Sequence, residues 1–351
     1  MGPAIFQPLS DRRTMNSLER IRATVRFEEA DRVPVFPQVF GHAATIDGIP
    51  LDAYVQEGDL IARCQTKALD RYGYDAVFSV MDVNVEAEAL GASIRYLKHQ
   101  YPVIQNHPFL VSDDWSRLSV PDPERAGRMP EMLKALKILR RDLGNQVLIV
   151  GCVLGPLTLA AQLLGAERAL YSAIDEPERL GSLLDFATEV IVRFGIAQID
   201  SGAHIPMVFD PFASPAVIPR QLFREFELSR LESIFAAFAQ RDALANWLHI
   251  AGPVQSILPF YPAAGVSIAN FDYCVAPGEA LSQLPAICVD GNIKSMSFIE
   301  SSPEDIGAEA SFLLRSFEER GGFILSSGCE IPPESKPENV AALVAAAKGG
   351  R

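Results

Sequence analysis

The sequence predicts an α/β chain closed as an eight-stranded parallel (β/α)8 barrel of the TIM type. Short apolar runs alternate with helix-length amphipathic segments along nearly all of its 351 residues, and parallel strands require such crossover helices. Eight of these runs can be traced, the number that closes a barrel. Polar groups recur just past the carboxyl ends of the runs and form no such series at the opposite ends. An open doubly wound sheet is the rival arrangement, but no Gly-rich fingerprint follows the first run.

Each element has its own signal. Residues 1–14 carry Gly, two Pro and mixed charges without a period, which predicts a flexible leader, with Met15 as a natural start. Asn16 or Ser17 can cap a helix in which Leu18, Ile21 and Val25 recur at helical spacing. Residues 31–37, DRVPVFP, predict the first strand. A helix over 60–72 leads to a strand over 76–81 that ends at Asp82, and residues 93–104 predict an extended excursion or hairpin. Helices over 130–143, 177–199 and 219–240 precede strands over 147–152, 206–210 and 244–249. Short helices over 253–261 and 277–283 precede strands over 266–272 and 286–290. A helix over 303–320 leads to the last strand, in GGFILSSGCEIPPES from Gly321, where Gly328 supplies a tight turn and Cys329 and Glu330 follow the strand end. Pro337 introduces a final helix over 336–348. No linker or composition break interrupts residues 15–351, so one domain is expected.

Composition narrows the function classes. Hydrophobic residues make up 48% of the chain, yet no apolar stretch approaches the roughly 20 residues that span a bilayer. No secretory signal opens the sequence, and five cysteines at 64, 152, 274, 288 and 329 do not form a disulfide framework. A cytoplasmic protein is expected. A net charge of −13 and the lack of a Lys/Arg cluster argue against nucleic acid or an anionic membrane as partner.

The strand ends carry the chemistry. They read Gln38, Asp82, Cys152, Asp210, His249, Asp272 with Cys274, Asp290 with Asn292, and Cys329 with Glu330. In a barrel these distant positions share one mouth. Imidazole and thiolate are ligands that zinc prefers, so His249 and Cys329 suggest a metal site, while a core histidine bonded to Asp210 or Asp272 is an equal reading. Asp82 and Glu86 lie one helical turn apart and suit cation binding, acid–base work or the orientation of a histidine; Glu88 reads as a solvated surface carboxylate. Asp210 ends an apolar strand ahead of Pro211 and Phe212. Gly155-Pro156-Leu157-Thr158 turns into a helix whose free amides can meet an anion, a weak signal taken alone.

Together these stretches resemble the uroporphyrinogen decarboxylase superfamily, whose members share a (β/α)8 barrel. The resemblance runs from Asn16 nearly to the end, through LERIRATVRFEEADRVPVFP, GCVLGPLTLAAQLLG, VFDPFASPAVIPRQLFREFELSRLESI, FDYCVAPGEAL, DGNI and SGCEIPPESKPENVAALV. True decarboxylases of the superfamily hold an eight-carboxylate substrate with arginines in an RQAGRY-like segment. The corresponding stretch here, PQVFGHAATIDG, has none, which would leave substrate carboxylates unpaired. Asp82 does match that branch's central aspartate.

The resemblance is nearer to the corrinoid-dependent methyltransferases of the methylcobamide:coenzyme M type, which hold zinc with a His-X-Cys pattern and a distant Cys. His249 matches the first ligand and Cys329 the last, whereas Ala251 stands in the place of the middle cysteine. If the metal is kept, a third ligand is required, and strand-end position makes Cys274 and Glu330 the candidates, with Asp210 behind them. The resemblance implies a zinc-assisted methyltransferase that works with a small-molecule methyl donor or acceptor and a corrinoid protein. Asp82 and Asp210 would act as catalytic or positioning groups, and Gln38, Glu86, Asp272 and Asn292 as substrate contacts. A homodimer is among the expected assemblies. A cofactor-free decarboxylase and a catalytically lapsed binding barrel are the alternatives.

Overall fold

The computed structural model of the protein describes residues 14–110 and 119–349, so the expected leader lies almost wholly outside the described residues. The strands in chain order are β1 (Ala76–Ser79), β2 (Ser93–Leu97), β3 (Gln100–Asn106), β4 (Leu148–Leu154), β5 (Ile205–Phe209), β6 (Trp247–His249), β7 (Ile268–Phe271), β8 (Cys288–Ile293) and β9 (Phe323–Ser327). Seven of them form one parallel sheet in the order β1-β4-β5-β6-β7-β8-β9. β2 and β3 pair as an antiparallel hairpin outside it, at the position of the expected excursion.

The expected first strand shrinks to one parallel bridge between Val35 and Leu325 of β9. Pro34 and Pro37 have no N–H to donate, which prevents a regular ladder. The segment nevertheless closes the barrel. Phe36 N donates to Leu325 O at 3.1 Å, Leu325 N to Pro34 O at 2.9 Å, and Asp75 N, just ahead of β1, to Val35 O at 2.9 Å. It is the eighth stave of the (β/α)8 barrel.

Strands β1, β4, β5 and β9 are buried along their whole length, as a barrel wall packed on both faces requires. Inside the barrel, Trp247 packs edge-on against Phe36 with ring centroids 5.4 Å apart, and Phe36 packs likewise against Phe78 at 6.2 Å. At the amino-terminal end of β1, the buried carboxylate of Asp75 accepts from Ser17 Oγ, Arg20 Nη1, Arg32 Nη1 and Val35 N, between 2.7 and 2.8 Å. This ties the first helix and the eighth stave to the barrel floor.

The helices follow their sequence signals closely. Asn16 and Glu19 form a capping box at the start of the helix Ser17–Val25. The crossovers Gly58–Tyr72, Met129–Leu143, Pro177–Asp200 and Pro303–Phe317 lie within a few residues of the expected spans. The helix expected over 219–240 differs: it consists of Arg220–Leu222, a π turn over Phe223–Glu227, and Leu228–Gln240. Glu227, at the end of that π turn, is fully buried, and such turns are common near functional sites. No described helix is long and apolar enough to cross a membrane.

Candidate functional site

A cavity of about 200 Å³ opens at the carboxyl ends of the strands and is walled by residues at or just past the ends of β1, β4, β5, β6 and β9. His249 ends β6 and lines it. The Nδ1 of His249 lies 3.2 Å from Gln38 Nε2, and its Nε2 lies 3.6 Å from Cys329 Sγ. Its ring also packs against Phe209 at 4.7 Å. Burial pushes the imidazole down to about 3, so it is neutral at physiological pH and has a lone pair to offer. Burial, with help from the neighbouring Glu330, pushes the Cys329 thiol up to about 12. A thiolate at this position therefore needs a cation beside it.

Two further carboxyl groups face the cavity. Glu330 follows Cys329 and accepts from Gly41 N at 3.3 Å and from the hydroxyl of Tyr101, which the β2–β3 hairpin brings over the mouth. Burial pushes Glu330 up to about 7 against the pull of those donors. Glu86 sits on a short helix after β1 and accepts from Leu154 N at 2.8 Å; burial raises it to about 7 as well.

Asp82 lines the same cavity but is not a free acid. Arg128 holds it with both terminal nitrogens, donates through Nε to Glu88 at 2.6 Å, and donates to Val55 O at 2.8 Å. Glu88, expected as a solvated surface group, is thus a partner in a largely buried ion cluster. Neither Arg128 nor Tyr101 has a sequence signal that marks it for the site, because each is recruited by a contact across tens of residues.

The structure does not bring every expected residue to the cavity wall. Asp210 is fully buried and caps the helix Pro156–Leu164, accepting from Leu157 N at 3.2 Å and from Thr158 N at 3.0 Å. The weak anion signal at that helix start is met by this internal carboxylate. Glu227 is buried beside it, and burial plus the Asp210 charge push Glu227 well above the ordinary carboxylate range. Asp272 accepts from Gly252 N and Tyr273 N, and Asn292 donates to Val275 O at 2.8 Å, so both brace loops. Cys274 is exposed and outside the cavity wall. Gln38 reaches the site only through His249. Gly328 serves by close approach: a Cβ there would lie 2.4 Å from an Asp272 oxygen.

A family model described as uroporphyrinogen decarboxylase (URO-D) matches residues 16–350. The chain belongs to that family. Among its relatives, the methylcobamide:CoM methyltransferase MtaA of Methanosarcina barkeri is 31% identical over 293 residues, 82% of this chain and 84% of that protein. The methylcobamide:CoM methyltransferase MtbA of Methanosarcina mazei is 26% identical over 341 residues, 95% of this chain and 98% of that protein. A uroporphyrinogen decarboxylase of Magnetococcus marinus is 25% identical over 312 residues, 84% of this chain and 86% of that one. A solved methyltransferase from Methanosarcina mazei superposes with a TM-score of 0.87 at 28% identity, covering 95% of this chain and 99% of the other. In that company, this member of the uroporphyrinogen decarboxylase family is a methyl-transferring enzyme.

Within the family barrel, His249 and Cys329 converge and Ala251 lines the cavity beside them. Among the described residues no three His, Cys, Asp or Glu side chains are grouped as a ready metal site. The donor pair itself suits an ion, since a tetrahedral zinc with nitrogen at about 2.0 Å and sulfur at about 2.3 Å holds such atoms at close to the observed spacing. Gln38 Oε1 is buried without a hydrogen-bond partner. Turned toward Nδ1, it would accept the Nδ1 proton and free Nε2 for a metal.

Proposed function

We propose that the protein transfers a methyl group between a small molecule and the cobalt of a corrinoid carried by a separate protein, assisted by zinc. One observation carries this reading: a neutral imidazole nitrogen and a thiol sulfur 3.6 Å apart, at the carboxyl mouth of a family barrel whose relatives include methylcobamide methyltransferases. His249 Nε2 and Cys329 Sγ would hold the ion. Glu330 would supply the third donor once its carboxylate leaves Tyr101 and Gly41. Bound zinc supplies Lewis acidity that stabilises a thiolate or polarises a leaving group.

The chain's own residues set the stage around it. Gln38 fixes the His249 tautomer, Phe209 packs the imidazole ring, and Phe40, Val153 and Leu154 wall the cavity against water. Cys329 would bind such an ion as a thiolate, its proton passing to solvent. Decarboxylation is less well supported, because no arginine is among the described residues that line the cavity and Asp82 is committed to Arg128. The test is metal content with turnover. About one zinc per chain, lost in His249→Ala and Cys329→Ala along with demethylation of methylcobalamin, is the expected result. A metal-free protein that decarboxylates a tetrapyrrole would overturn it.

A further inference from the structure

The cavity is rich in hydrogen-bond acceptors and poor in donors. Glu86 and Glu330 both face it, and among the described lining residues there is no lysine or arginine. Three of the donors on its wall already have internal acceptors. Asn84 Nδ2 donates to Pro102 O at 2.8 Å, the Tyr101 hydroxyl donates to Glu330, and Leu154 N donates to Glu86. Arg128, the partner of Asp82, is also engaged by Glu88 and the Val55 carbonyl. An anion entering this space would meet two carboxyl groups and no counter-charge, which is a costly way to bury charge.

The apolar part of the wall has a complementary character. Phe40 and Phe209 meet edge to face with centroids 5.8 Å apart, and the Tyr101 ring lies on the same wall. Aromatic faces with a nearby carboxylate attract methylated cations by cation–π and charge interactions, without asking for hydrogen bonds that such cations cannot make. Among the described residues no side chain hydrogen-bonds Glu86, whose carboxyl group accepts from the backbone amide of Leu154. If Glu330 is taken up by zinc, Glu86 remains as a second carboxyl group on the wall, and a cation bound beside it would favour its ionised form.

We propose that Glu86 and the aromatic walls select a small molecule carrying a methylated cationic group, a quaternary ammonium or a sulfonium, and exclude sulfonates and carboxylates. This rests on the reading of the cavity as the substrate site. It makes Glu86 a specificity-determining residue and sets the small-molecule partner apart in charge from an anionic thiol.

The test is a titration calorimetry series with three ligands of similar size: choline, 3,3-dimethylbutan-1-ol and isethionate, with neither corrinoid nor thiol present. Choline is expected to bind at least about tenfold more tightly than isethionate, equivalent to about 1.4 kcal/mol, with the alcohol between them. In Glu86→Gln, confirmed folded by its circular dichroism and melting, the advantage of choline over the alcohol should disappear. Isethionate binding as tightly as choline, no binding of choline, or an unchanged choline preference in the folded variant overturns the proposal. The wild-type series stands alone if the variant does not fold. Because binding is read without metal or methyl transfer, a protein that prefers choline but fails the zinc and methylcobalamin assays would sink only the proposed function.

Discussion

Gln38 Nε2 lies 3.2 Å from Nδ1 of His249, and the other side-chain atom of the same amide, Oε1, is buried without a partner. The pair is a two-position device. With Nε2 toward the ring, the imidazole carries its proton on Nε2 and faces Cys329 as a donor. With Oε1 toward the ring, the proton would sit on Nδ1 and leave the Nε2 lone pair free for an ion. Outer partners of this kind typically change metal affinity by about 10–100-fold. Gln38→Leu is therefore expected to weaken zinc binding by about that factor in a chelator competition while leaving the circular dichroism spectrum unchanged. Undiminished zinc affinity would show that Nδ1 needs no such partner.

Ala251 stands two residues after His249 on the cavity wall. A thiol there would add a second sulfur to the His249–Cys329 pair, and structural and catalytic zinc sites favour three or more protein ligands. Ala251→Cys is expected to raise zinc affinity at least about tenfold. If the substitution leaves affinity where it was, the pair does not sit where a third ligand from this strand can reach.

Arg128 is 7% exposed in its side chain and bridges Asp82, itself 1% exposed, to Glu88. Removing one member of a buried cluster leaves charges uncompensated, at a cost of about 3–5 kcal/mol. Arg128→Met should lower the urea midpoint accordingly, and Arg128→Met with Asp82→Asn and Glu88→Gln should recover most of it. A single variant as stable as the wild type would mean that water reaches Asp82 more freely than its burial indicates.

Asp290 lies on β8 inside the barrel, accepting from Trp247 Nε1 and Asn270 Nδ2, each at 2.9 Å. Burial pushes its carboxyl up to about 7, against those two hydrogen bonds. Between its ordinary value near 4 and 7, the folded protein holds a proton that the unfolded chain has released, so this group subtracts stability as pH rises through that window. Asp290→Asn should flatten that part of the stability profile, gaining on the wild type between pH 5 and pH 8 by up to a few kcal/mol. Parallel profiles for the two proteins would show that Asp290 does not titrate there.

Much of the barrel was legible in the chain because its signals are local. Asn16 with Glu19, the prolines that open helices at 177, 277, 303 and 337, and the buried runs of β1, β4, β5 and β9 announce themselves within a few residues. The pairing of His249 with Cys329 was legible too, through strand-end position and the family pattern. What misled was also local. Residues 31–37 look like a strand, but two prolines leave a single bridge, and Asp210 looks like a mouth residue but turns onto amides at Leu157 and Thr158. Nothing near Tyr101 or Arg128 marks them for a site, since their partners Glu330 and Asp82 lie 229 and 46 positions away.

By itself the sequence determined the strand and helix alternation and the end of each strand at which polar groups gather. Only the tertiary structure decided which of those polar groups face a common cavity and which are consumed by internal bonds. The reason is physical: a side chain's period and its neighbours set local conformation, whereas a buried carboxyl or imidazole takes whatever partner the closed barrel brings within about 3 Å. That partner comes from another strand.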